Sequence, residues 1–127
     1  MKGFLTDIEE ATKSNSNFRK VLFTGSHMQL VVMSLLPGED IGAEVHNDVD
    51  QFFRIEEGEG KVIMDGEEMM FKEDDVFIVP AGTQHNIINT STSTELKLYT
   101  IYAPANHPEG TIHATKAEAM EAEEHHN

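Results

Sequence analysis

Four side chains stand out for the chemistry they could do together: Glu44, His46, Gln51 and His85. Glu44 and His46 are two residues apart, so on an extended segment they point to the same face. Gln51 comes after an acidic turn, Asn47–Asp50, and opens a stretch in which Phe53 and Ile55 share its face. His85 follows Pro80-Ala81-Gly82 and shares its face with Ile87 and Asn89. Three strand ends brought together would gather two imidazoles, one carboxylate and one amide. Nitrogen and hard oxygen donors of this kind suit a divalent cation of intermediate softness and leave positions open for water or substrate. Such a centre keeps net positive charge, able to polarise a carbonyl or activate a bound water. Cysteine is absent, which excludes disulfides, thiolate metal sites and thiol nucleophiles.

Each of these residues also has a plainer reading. His46 and His85 could be pocket histidines with satisfied hydrogen bonds. Glu44 could face solvent, as strand carboxylates usually do, or act as a base if it is not a ligand. Gln51 could support a ligand instead of being one. Asp48 and Asp50 read as turn residues. Met28, Met33, Met64, Met69 and Met70 read as core filler. His27, His107 and His113 stand apart from the four donors. His107, in Ala105-Asn106-His107-Pro108, is either a surface-loop histidine or one that folds over the mouth of the site as a gate or proton carrier. His125 and His126 are terminal and could bind metal adventitiously. Gly58, Gly60 and Gly82 are expected where turns need unusual backbone angles, not where phosphate binds.

The elements that must position these residues are short. Strands are expected over Phe18–Thr24, His27–Leu36, Ile41–His46, Gln51–Glu56, Lys61–Met64, Glu67–Lys72, Val76–Val79, His85–Asn89 and Glu95–Ala103. Asp65-Gly66 is a two-residue hairpin signal. Many short strands punctuated by Gly and Pro predict an all-β antiparallel barrel or sandwich. Residues 1–17 read as an N-terminal arm with a helical turn at Asp7–Lys13, residues 18–104 as the barrel and residues 105–127 as an extension. Thr115-Lys116-Ala117-Glu118 has capping-box spacing and predicts a short C-terminal helix over Ala117–Glu124.

The 127 residues suffice for one domain, and 23 acids against 9 bases give a formal charge of -14. That field opposes nucleic-acid binding and a strongly anionic substrate. Arg19 and Arg54, the two arginines, belong to no basic cluster. No apolar run is long enough to span a bilayer, and acids stand where a signal peptide needs its apolar segment, so a cytoplasmic protein with no membrane partner is expected.

The spacing Gly38-x5-Glu44-x-His46-x4-Gln51-x6-Gly58 resembles the first cupin motif, which reads glycine, five residues, His-x-His, three or four residues, glutamate, six residues, glycine. Asp74-x5-Pro80-x-Gly82-x2-His85-x3-Asn89 resembles the second, with aspartate in place of its leading glycine. Together with their strands these cover residues 30–103. The resemblance implies a double-stranded β-helix, or jelly-roll barrel, holding one divalent metal such as zinc, manganese, iron or nickel. Cupins of the common pattern use three histidines and one glutamate. Here Glu44 takes the first histidine position and Gln51 the glutamate position, while His46 and His85 match directly. In ligand types the set is similar to that of zinc-dependent phosphomannose isomerase cupins, with amide and carboxylate exchanged.

Three functions are consistent with this reading. One is a non-redox metalloenzyme (isomerase, epimerase or lyase) acting on a small oxygen-bearing metabolite. Another is a metal-dependent dioxygenase, and the third a binding protein for a small ligand without chemistry. The family also implies a homodimer, with the arm and the strands Phe18–Thr24 and His27–Leu36 as the candidates for pairing.

Overall fold

In the computed structural model, which describes residues 2–124, side-chain alternation along each strand sorts residues between an interior and an exterior. The chain runs α1 (Ile8–Lys13), β1 (Arg19–Thr24), β2 (Gln29–Leu35), β3 (Asp50–Glu57), β4 (Gly60–Met64), β5 (Glu67–Phe71), β6 (Val76–Val79), β7 (His85–Asn89), β8 (Leu96–Ala103), β9 (Ile112–His113) and α2 (Lys116–Glu124). All strand pairs are antiparallel. The larger sheet has the order β6-β3-β8-β2-β1-β9 and the smaller β5-β4-β7. This is the all-β antiparallel architecture that the strand spacing predicts, arranged as the jelly roll that the cupin resemblance implies, with a short C-terminal helix.

The core lies between the sheets. Val31, Met33 and Leu35 from β2, Phe53 and Ile55 from β3 and Leu96 and Leu98 from β8 meet Val62 and Ile87 from the smaller sheet. Each such side chain contributes about 1.5–3 kcal/mol of transfer free energy. Phe77 closes one side, stacked on Phe53 at 4.8 Å and on Phe71 at 5.3 Å between ring centroids. Of the five methionines read as core filler, Met33 is in the core and Met64 packs against it, whereas Met28, Met69 and Met70 are exposed.

Three features depart from the sequence reading. Residues 41–46 are not a strand: they run beside β7 through two isolated bridges, Asp40 with Ile88 and Glu44 with His85. Gly42 lies between them at φ +110° and interrupts the pairing, its N–H donating to Asn86 Oδ1 at 2.9 Å. The N-terminal segment does not stand free. Capped by Asp7, α1 packs on the outer face of β2, β3 and β8, and Lys97 Nζ beneath it donates to the Asn15 carbonyl. Finally, the C-terminal extension contributes β9, which pairs with Arg19 and Lys20 along the edge of β1.

The glycines divide by cause. Gly58 (φ +99°) and Gly82 (φ +85°) occupy the left-handed region as expected, but Gly60 does not. A Cβ on Gly60 would meet the Ile88 carbonyl oxygen at 2.3 Å, so close strand approach selects glycine there. Asp74 stands where the motif has its leading glycine, and it adopts that glycine's left-handed backbone, φ +74°.

Candidate functional site

The four donors arrive from three directions. Reciprocal N–H···O bonds of 2.9 Å pair Glu44 with His85, which sets both side chains on one face of the smaller sheet. His46 lies two residues further along and is tied down by the Gly82 N–H, which donates to its carbonyl at 2.8 Å. Asp50 accepts from the Ala81 N–H at 2.9 Å and fixes the Pro80–Gly82 turn that leads into His85. This is the structural role its turn position suggests. Gln51 comes from the opposite sheet, buried at the start of β3 and in register with Tyr102 on β8.

His46 Nε2 lies 3.1 Å from a Glu44 carboxylate oxygen. The His46 and His85 ring centroids are 5.4 Å apart. His85 Nδ1 faces the Thr83 carbonyl at 2.9 Å. An Nδ1–H donated to that oxygen leaves Nε2 as the basic, unoccupied edge. Gln51 Nε2 donates to Thr100 Oγ1 at 3.0 Å, while its Oε1 is buried with no hydrogen-bond partner. A buried acceptor left unmatched costs about 1–3 kcal/mol.

Several further residues, not apparent from the motifs, complete the surroundings. The Tyr102 ring meets His46 edge-on, at 6.1 Å between centroids. Its hydroxyl lies 3.2 Å from His107 Nε2, and the two rings are perpendicular, 5.1 Å apart. His107 is therefore packed on Tyr102, next to the donors' neighbour, and Gln29 holds it there. Gln29 Oε1 accepts from the Asn106 and His107 N–H groups at 3.1 and 3.0 Å, and its Nε2 donates to the His107 carbonyl at 2.7 Å. Arg19, 2% exposed, is the remaining member. Parity offered a signal for some of these: Thr100 and Tyr102 share the inward face of β8 with Leu96 and Leu98, and Arg19 shares that of β1 with Val21.

Burial and charge set the protonation states. Burial pushes the Tyr102 hydroxyl up to about 12, so it is a hydrogen-bond donor at any ordinary pH. Burial, reinforced by the Arg19 charge, pulls His107 down to about 3 and keeps it neutral. The two findings agree: Tyr102 O–H donates and the His107 Nε2 lone pair accepts. Burial raises Glu44, but the hydrogen bond to His46 and the nearby His46, Arg19 and His85 outweigh it, and the carboxyl ends below its usual range.

Among the described residues, no three His, Cys, Asp or Glu side chains form a ready-made metal cage. By donor chemistry, a cation nonetheless suits this place. The unmatched Gln51 Oε1 and the free edge of His85 are Lewis bases without a donor, and Glu44 supplies negative charge. The separation of the imidazoles falls within the span of about 4.5–6 Å that two rings cover when both bind one ion through bonds of about 2.1 Å. His125 and His126 lie outside the described residues.

The family model described as "Cupin domain" matches residues 31–102. The chain belongs to the cupin family. It is 53% identical to YrkC of Bacillus subtilis over 97% of this chain and 69% of that protein. With L612 of Acanthamoeba polyphaga mimivirus it shares 45% identity over 86% of this chain and 70% of that protein. The crystal structure of BH2720 from Bacillus halodurans superposes with a TM-score of 0.92 at 47% identity, covering 94% of this cupin and 95% of that chain. No helix among the described residues is long and apolar enough to cross a membrane.

Proposed function

We propose that this cupin is a metal-dependent enzyme acting on a small oxygen-bearing metabolite by non-redox chemistry, an isomerase, epimerase or lyase that works as a homodimer. The observation that carries it is the set of unsatisfied bases at one mouth: Gln51 Oε1 without a partner, the free Nε2 of His85, and the Glu44–His46 pair between them. Glu44, His46, Gln51 and His85 would hold a zinc, manganese, iron or nickel ion. When bound, such an ion polarises a carbonyl or hydroxyl oxygen.

The chain's own residues supply the rest. Where the ion rests on His46, Gln51 and His85 alone, Glu44, held below the usual carboxylate range and so ionised beside them, is placed to take a proton as a general base. Tyr102, held protonated with its hydroxyl proton turned to His107, sets its ring edge-on against His46 and fixes that side of the site. The apolar side chains Phe53 and Ile87, behind Gln51 and His85 on their strands, keep water from the inner end.

Metal analysis of protein purified without a nickel column tests this reading. The wild type should carry about one divalent ion per chain. His46→Ala and His85→Ala should each lower metal affinity by more than about 100-fold, since even residues that merely support a ligand contribute about 10–100-fold. Metal-free wild-type protein would overturn the metal reading. An iron, nickel or copper protein that consumes oxygen with its substrate would replace the non-redox assignment by a dioxygenase. Equal turnover by wild type and Glu44→Ala in a metabolite screen would remove Glu44 as the base.

A further inference from the structure

Against His107 lies a cavity of about 260 Å³ whose wall also includes Arg19, Thr111, His113, Ala122 and Glu123. It lies between β1, β9 and the helix α2, and its volume falls just under the usual range for small-molecule sites of about 300–1,000 Å³. Arg19 is the unusual member. It is 2% exposed, its Nε has no hydrogen-bond partner, and among the described residues no carboxylate lies within ion-pairing distance of it. Its other partners are neutral, a long contact of 3.4 Å from Nη1 to His113 Nδ1 and the Tyr102 hydroxyl, while Glu44 feels its charge from beyond ion-pairing distance. The guanidinium is fixed from behind by the Phe18 ring, 5.4 Å from its carbon to the ring centroid. A buried cation is ordinarily paired, because removing an unpaired charge from water is costly.

We propose that this cavity binds a small monocarboxylate whose carboxylate group is gripped by Arg19. The planar guanidinium fork matches a carboxylate in a bidentate contact. Charge count favours a single negative charge on the ligand. Arg19 is the one permanent cation on the wall, Glu123 adds a negative charge at the rim, and the whole chain carries -14. A dianionic phosphate would meet that field with half its charge unmatched. The cavity suits an acid of a few carbons, with the Pro108 and Ala122 side chains as its apolar contact. The site stands on Arg19 and the cavity alone and does not depend on a metal at the four donors.

Calorimetric titration of the full chain with acetate and pyruvate tests the proposal, with acetamide, pyruvamide and inorganic phosphate in parallel. At least one of the two acids should bind saturably below about 10 mM, an affinity ordinary for a small fragment, while both amides do not. Arg19→Lys should weaken binding about tenfold or more, and Arg19→Met should abolish it. Because Arg19 is buried, Ala122→Phe serves as the second variant: it fills the cavity from an exposed helix position, leaves Arg19 in place and should also abolish binding. Glu123→Gln should bind more tightly than the wild type. Repeating the titration on chelator-treated protein separates this site from the donor cluster, since carboxylate binding should persist there. The proposal is overturned if neither acid saturates, if phosphate binds and the acids do not, or if Ala122→Phe binds as well as the wild type.

Discussion

His107 shows how one side chain can be placed by its partners more than by its own chemistry. Gln29 fixes its backbone, Tyr102 donates to its ring and Arg19 opposes its protonation. Its folded-state pKa, about 3, lies below the value near 6.5 of a free histidine. Between these values the unfolded chain binds the proton and the folded chain does not. The contribution of His107 is thus fully present above pH 6.5 and drains away as the pH falls towards 3. His107→Gln keeps an acceptor for Tyr102 but has no proton to gain. Its melting temperature should fall less steeply than that of the wild type between pH 6.5 and 4. Parallel curves would show that His107 is charged, or free, in the folded protein. At this scale the four donors were legible because their spacing is local and periodic. Arg19, Tyr102 and His107 were harder to see, because what unites them is register across strands far apart in the chain, through Gln29 with Tyr102 and Tyr102 with Gln51.

At the scale of elements, most strands begin and end within a residue or two of where Gly, Pro and Asp pairs place them. The Asp65-Gly66 turn has both residues at positive φ, 47° and 85°, as a two-residue hairpin of this kind demands. What failed were elements that depend on partners. The stretch Ile41–His46 alternates like a strand, yet Gly42 and a single neighbour, β7, limit it to bridges. The dipeptide Ile112–His113 has no strand signature and becomes β9 because the β1 edge is open beside it. Helix α2 is fastened to the barrel by Lys116, which bonds the Asp40 carboxylate, and Asn86 Nδ2 donates to the other Asp40 oxygen at 2.9 Å. The Lys116 hydrogen bond, then that of Asn86, holds Asp40 below its usual range. This link is complete above the ordinary carboxylate pKa and is lost as pH falls through the lowered one. Lys116→Ala should cost about 1 kcal/mol or less in global stability, as a partly exposed pair does. It should nonetheless raise hydrogen exchange in α2 at neutral pH to the level the wild type reaches only in acid. Unchanged α2 protection would show that the helix is held by other contacts.

At the scale of the molecule, the exterior of the larger sheet bears on assembly. Leu30, Ile101, Phe52 and Ile78 lie in register across β2, β8, β3 and β6, with Ile78 57% exposed, and make an apolar row. β2 is interior to its sheet, and β9 covers the edge of β1 at Arg19 and Lys20. We infer that this apolar row is the surface a homodimer would use. Sedimentation velocity over about a 100-fold concentration range should give a dimer that Ile78→Asp shifts towards monomer, since burying an unpaired charge opposes association. A wild type that sediments as a monomer throughout would remove the dimer.

The strand order carries one more consequence. β8, nearly the last strand to be synthesised, sits between β3 and β2 and supplies the register for both. A nascent chain leaving the ribosome therefore cannot close its larger sheet until residue 103 has emerged. Until then β2 and β3 have no common neighbour and expose Val31, Met33, Phe53 and Ile55. Pairings this distant in sequence are slow to form, so birth, more than maturity, is when this protein is most exposed to aggregation.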